Sequence, residues 1–298
     1  MIRDFNEMLD KVKERPNRTV VIAAAHTDSA LEAAVEAKRE NIAESLLIGD
    51  KSYILECLNL NAPAYIDAFE IIDTKDDMAL AAVKAVEAIR EERADIILKG
   101  KCETATLLKA VLDRKNGLRT GEILSDVLVY EHPERLILLS DGGINLYPTM
   151  EEKVSILRNA VRVARGMKCE IPKVALLAAV EVVNKKMQST IDAAEIARMN
   201  RENIITDCIV EGPLALDLAI SEEAAKLKGL ESEVSGKADV LIVPNIEAGN
   251  IFGKTLTYYC NFRTAHLVMG AKAPILIASR ADSSGTKKLS MALGVLSL

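Results

Sequence analysis

The chain of 298 residues has no tryptophan, and aromatic residues make up only 3% of it. Its five cysteines (57, 102, 169, 208 and 260) stand singly, without a CxxC pair. That is the pattern of reduced thiols in a cytoplasmic protein rather than of a disulfide framework. No apolar run exceeds about seven residues, against the ~18–20 that a membrane helix needs. The opening stretch MIRDFNEMLDKVKERPN is charged throughout and lacks the apolar segment of a signal peptide. A basic surplus is also missing: 38 basic against 44 acidic side chains leave a net charge of −6. General binding to nucleic acid or to an acidic membrane is therefore not expected. No candidate strand is followed by GxGxxG, so the dinucleotide fingerprint is absent. HExxH and EF-hand spacings are absent too, and His26, His132 and His266 lie far apart. Each histidine reads as structural, and no metal site is expected.

What is present is an ordinary globular composition, 49% hydrophobic with 28% charge, in a length that suits one large or two medium domains. Short runs rich in Val, Ile and Leu recur at Val20–Ala25, Ser45–Ile48, Asp95–Leu98, Leu136–Ser140, Val174–Ala178, Ile204–Val210, Val240–Val243 and Ile275–Ala278. They show no clean polar alternation, as expected of strands covered on both faces. Amphipathic stretches separate them. Residues 149–166 predict a helix opened by a Thr149–Glu152 capping box, with Val154, Leu157, Val161 and Ala164 as its apolar stripe. A second box, Ser29 with Glu32, is expected to open the helix after the first strand. Such alternation means an α/β fold.

Charge is distributed unevenly. From Lys99 to Arg119 there are six basic and two acidic residues, +4 in 21 residues of an acidic chain. This segment follows a strand and carries Gly100, Thr104, Thr106 and Lys109. Helix N-termini beyond strand ends attract phosphates, so it reads as an anion site rather than only a solvated face. Cys102 lies in it, where lysines could lower its pKa, but no histidine is near to serve as its base. The stretch after the last strand offers Ser279, Arg280, Asp282, Ser283 and Ser284. These suit either oxyanion stabilisation with a nearby base or a capped helix start. A third group, Pro244 to Asn250, offers Asn245, Gly249 and Asn250 to a ligand. The segment from Gly249 to Thr255 has one residue too few between its glycines for a phosphate loop.

Several segments together resemble the phosphate acetyltransferase and phosphate butyryltransferase family. They are LLIGD (Leu46–Asp50), KGKCETATLLKAVL (Lys99–Leu112), DGGINLYPT (Asp141–Thr149), VEGPLALDLAIS (Val210–Ser221), ADVLIVPNIEAGNIFGK (Ala238–Lys254) and APILIASRADSS (Ala273–Ser284). The resemblance spans nearly the whole chain and leans toward the butyryl branch. It implies two α/β domains like those of isocitrate and isopropylmalate dehydrogenases, residues 1–120 plus 266–298 and residues 121–265, with an active-site cleft between them. It also implies the reaction acyl-CoA + phosphate ⇌ acyl phosphate + CoA, with coenzyme A as substrate, no tightly bound cofactor, and a homodimer. Ser279 and Arg280 match the family's serine–arginine pair at the reaction centre. Thr104 falls near the substrate, and Lys109 stands where acetyltransferases carry arginine. Thr286 occupies the place of the acetyltransferase aspartate, which makes Asp282 the nearest carboxylate to serve as base. Lys99, Gly100, Thr104, Lys109, Asn245, Gly249 and Asn250 are the substrate-binding candidates. The competing readings are an NAD(P)-dependent decarboxylating dehydrogenase of the same fold and a non-catalytic CoA- or nucleotide-binding module.

Overall fold

A computed structural model describes residues 1–277 and 282–298. The described strands are β1 (Thr19–Ala23), β2 (Glu44–Gly49), β3 (Glu70–Asp73), β4 (Ile96–Lys99), β5 (Ser125–Glu131), β6 (Leu136–Ser140), β7 (Lys173–Leu177), β8 (Ile209–Leu214), β9 (Val240–Ile242), β10 (Thr264–Met269) and β11 (Ile275–Leu276). Helices alternate with most of them, so the α/β expectation holds. The chain divides into two units, residues 5–122 with 265–298 and residues 1–4 with 123–264. No helix of the described residues is long and apolar enough to cross a membrane.

In the unit of 5–122 with 265–298 the strand order is β3-β2-β1-β4-β11-β10. β1, β2, β3, β4 and β11 run parallel, and β10 pairs antiparallel with β11. β1 thus has β2 on one side and β4 on the other, and the order reverses between β1 and β4. In an open sheet that reversal splays the flanking loops and leaves a crevice beyond the carboxyl ends of the two strands. Lys99 ends β4 and borders this crevice. The helix Ser284–Leu296 covers the sheet through Leu289, Met291, Ala292, Leu293, Val295 and Leu296, all buried.

In the other unit the order is β5-β6-β9-β7-β8, parallel except for β5 against β6. β9 returns between β6 and β7, which brings the loops after β6 and β9 side by side. The helix Met150–Gly166 carries the expected capping box: Thr149 Oγ1 accepts from the Glu152 amide, and Glu152 accepts from the Thr149 amide. The other expected box does not form. Extended Thr27 precedes the helix Asp28–Arg39, so Ser29 already lies inside the first turn, and no side chain caps it. The expected strand Ile204–Val210 is also displaced. Ile204 and Ile205 both donate to the Met199 carbonyl and close a turn, and β8 starts at Ile209.

Candidate functional site

At the carboxyl end of β4 the backbone turns onto the exit of β1. The Gly100 amide donates to the Ala23 carbonyl and the Lys101 amide to the Ala24 carbonyl, each at 2.8 Å. A Cβ on residue 100 would lie 2.1 Å from the Ala24 oxygen, so only glycine lets the two loops approach this closely. Lys99 is buried, and its Nζ donates to the Gly100 and Cys102 carbonyls at 3.3 Å. The helix Thr104–Val111 follows at once. Its N-cap, Glu103, makes no side-chain capping bond to the first-turn amides. Thr104 is half-buried at that start. Lys109 sits exposed in the last turn and lines a groove of about 550 Å³ with Val83, Val86, Glu87, Arg90 and Asp113. The charged segment therefore divides into a buried lysine at the strand end and exposed ones farther along. Cys102 is not activated: burial pushes its thiol up, and the neighbouring Lys99 offsets this only in part.

Ser279 and Arg280 lie outside the described residues. Asp282, just beyond them, is half-buried, and its carbonyl accepts from Lys287 Nζ at 2.5 Å. Ser283 caps the helix Ser284–Leu296, its Oγ accepting from the Thr286 amide at 3.2 Å. The capped helix start weighed for this stretch is present.

In the other unit the loop after β6 is organised by Asp141, which is buried. Its Oδ1 accepts from the Gly143 and Ile144 amides, and its Oδ2 from the amide and Nδ2 of Asn145. Burial and the charge of Asp126 nevertheless push its carboxyl up to about 6, against the pull of those donors. The helix Ile246–Tyr258 packs on this loop. Asn245 caps it by accepting from the Ala248 amide at 3.0 Å, and Asn250 Nδ2 donates to the Gly142 carbonyl at 3.1 Å. Gly249 is buried against Asp141 and Gly142. All three candidates from this segment thus meet at one loop, where they join two motifs of the chain. The Gly249–Thr255 stretch lies wholly within the helix and forms no phosphate loop.

Beside this junction a cleft of about 580 Å³ is lined by Tyr147, Lys153, Gln188, Asp192, Pro244 and Asn245. Lys153 Nζ and Asp192 Oδ2 form a buried ion pair of 2.6 Å, and Gln188 Nε2 donates to the other Asp192 oxygen at 2.7 Å. Asp141, Lys153 and Asp192 were not among the residues expected from sequence. A carboxylate followed by two glycines at a strand end was a readable signal for Asp141. The ion pair joins positions 39 apart and has no local signature.

The chain is similar to known proteins over nearly its whole length. The family model described as phosphate acetyl/butaryl transferase matches residues 67–295. A phosphate butyryltransferase of Clostridium acetobutylicum is 44% identical over 99% of this chain and 98% of its own length. A phosphate acetyltransferase of Thermotoga maritima is 41% identical over 98% of this chain and 99% of its own. Among solved structures, a branched-chain phosphotransacylase of Enterococcus faecalis V583 superposes with a TM-score of 0.82 at 32% identity, covering 94% of this chain and 98% of its own.

Proposed function

The chain belongs to the phosphate acetyl/butyryl transferase family, and from that premise we propose that it converts a short, butyryl-like acyl-CoA and phosphate into acyl phosphate and CoA. The observation that carries the acyl preference is the full-length identity to a butyryltransferase, slightly above that to an acetyltransferase. In this reading a phosphate oxygen attacks the thioester carbonyl carbon and a C–O bond forms. The carbonyl oxygen takes the charge, and the C–S bond then breaks to release CoA as a thiolate that acquires a proton. Ser279 and Arg280 hold the oxyanion by hydrogen bond and charge. In the reverse direction Asp282 takes the thiol proton, because a thiol with a pKa near ~8.5 is a poor nucleophile until deprotonated.

Lys99, Gly100 and the uncapped start of Thr104–Val111 hold the anionic substrates, a placement supported by the strand-order reversal between β1 and β4. Lys109 binds on the exposed side of the same segment. Asn245, Gly249 and Asn250, gathered at the Asp141 loop, are the substrate-binding residues of the other unit. The acidic net charge fits an enzyme of the cytoplasm that leaves nucleic acid and membranes alone. Coenzyme A is a substrate, nothing is held tightly between turnovers, and the working form is a homodimer. We assign residues 1–120 with 266–298 to one domain and 121–265 to the other. Comparing kcat/KM for acetyl-, propionyl- and butyryl-CoA at fixed phosphate tests the acyl preference. Butyryl-CoA should lead, and a clear lead for acetyl-CoA would move the enzyme to the other branch.

A further inference from the structure

Lys287 and Lys288 are neighbours in the first turns of the helix Ser284–Leu296, and the fold treats them in opposite ways. Lys288 is paired twice, with Glu36 Oε2 at 3.2 Å and Glu40 Oε1 at 2.8 Å. Lys287 is only 4% exposed, yet its one hydrogen-bond acceptor among the described residues is the neutral carbonyl of Asp282. An ammonium has three N–H donors, and burying its charge with a single neutral acceptor is costly. Lys99, 6% exposed at the end of β4, is close enough for its charge to act on Lys287. Burial pushes the Lys287 amine down and the Lys99 charge adds to it, while the Asp282 carboxylate and, less strongly, Glu32 pull it up without making good the loss. Two buried cations therefore act on one another, Lys99 at the carboxyl end of β4 and Lys287 on the helix that packs against that strand. A ligand anion would relieve this arrangement.

We propose that Lys287 binds the small phosphate anion, inorganic phosphate in one direction and the phosphoryl group of the acyl phosphate in the other, with Lys99 as the second cation. The inference rests on the phosphate acyltransferase reading and divides the work of the basic residues. Lys101, Lys109 and Lys115 are exposed and suit the long, many-charged coenzyme. Lys287 and Lys99 are buried, which suits a compact dianion that must be stripped of water before it attacks.

The test compares Lys287→Met, Lys287→Arg and, as a control, Lys288→Met. In Lys287→Met the KM for phosphate should rise more than about tenfold, as expected for lost charge-assisted hydrogen bonds, with the KM for acyl-CoA within about twofold. Lys287→Arg should recover part of the loss, and Lys288→Met should keep both constants. Without CoA, inorganic phosphate should raise the melting temperature of the parent protein and of Lys288→Met but not of Lys287→Met. Methionine keeps the length of the side chain and removes the buried charge, and the melting temperature of Lys287→Met without phosphate reads whether the variant folds. Equal phosphate stabilisation of parent and Lys287→Met overturns the proposal, and so does a rise shared equally by both KM values. A parent protein that releases no thiol from acyl-CoA and phosphate would instead defeat the acyltransferase reading, and the melting shifts would still decide the phosphate site.

Discussion

Gly142 and Gly249 meet backbone to backbone: a Cβ on Gly142 would lie 2.9 Å from the Gly249 carbonyl carbon, and one on Gly249 would lie 2.7 Å from the Asp141 carbonyl oxygen. The loop after β6 and the helix after β9 can touch only because neither residue carries a side chain. Their contact brings Asp141, Asn245 and Asn250 together at one edge of the sheet.

Gly249→Ala should therefore push the helix Ile246–Tyr258 off the Asp141 loop. Overpacking of this kind costs about 1–3 kcal/mol. The denaturation midpoint should fall, and the KM for acyl-CoA should rise with it. An alanine variant with unchanged midpoint would show that the two backbones part without cost.

Asp141 gives a pH prediction. Its carboxyl is raised to about 6 in the folded protein against 3.8 for the ordinary group, so between these values the folded state binds the extra proton. Stability from this group is full below about pH 4 and is lost as pH rises through about 6. The stability difference between the parent protein and Asp141→Asn should accordingly be larger near pH 4.5 than at pH 7. A difference that grows toward neutral pH would contradict the raised value.

The Lys153–Asp192 pair is buried on both sides. Asp192→Ala leaves an ammonium without its partner and should cost about 3–5 kcal/mol. The double variant Lys153→Met with Asp192→Leu should lose far less than the sum of the single variants, read from a double-mutant cycle in urea. Strict additivity would mean that the pair is not coupled.

Much of the fold was legible because it is local. Leu136–Ser140 is a strand at the expected residues, and Thr149 and Glu152 close their box within one turn. Other elements depend on distant partners. The apolar run at Ile204 looks like a strand, but Asn200 binds the Ile205 and Cys208 carbonyls and the Val210 amide and folds the run into a turn. β3, EIID, is a half-exposed edge strand with charges at both ends and offers no apolar run to read. β5 and β10 also passed unseen; one carries Asp126 and the other His266 within its span. At the site, Lys99 and Gly100 were legible from charge after a strand. Lys287 was not, because only the packing of its helix decides that a lysine in a first turn is buried.

Arg280 carries the prediction for the reaction centre. Arg280→Ala should lose more than about tenfold in kcat, as when an oxyanion donor is removed, and Arg280→Lys should restore part of it. Asp282→Asn should lower the rate of thiol attack on acyl phosphate, most at low pH, where thiolate is scarce. Full activity of Arg280→Ala would place the oxyanion elsewhere.

The most direct test of the whole account is the stoichiometry of one reaction. Purified protein is given butyryl-CoA with and without phosphate, and free thiol and acyl phosphate are counted together. Thiol release should require phosphate and match acyl phosphate one for one. Thiol release that is indifferent to phosphate, or none at all, would contradict it.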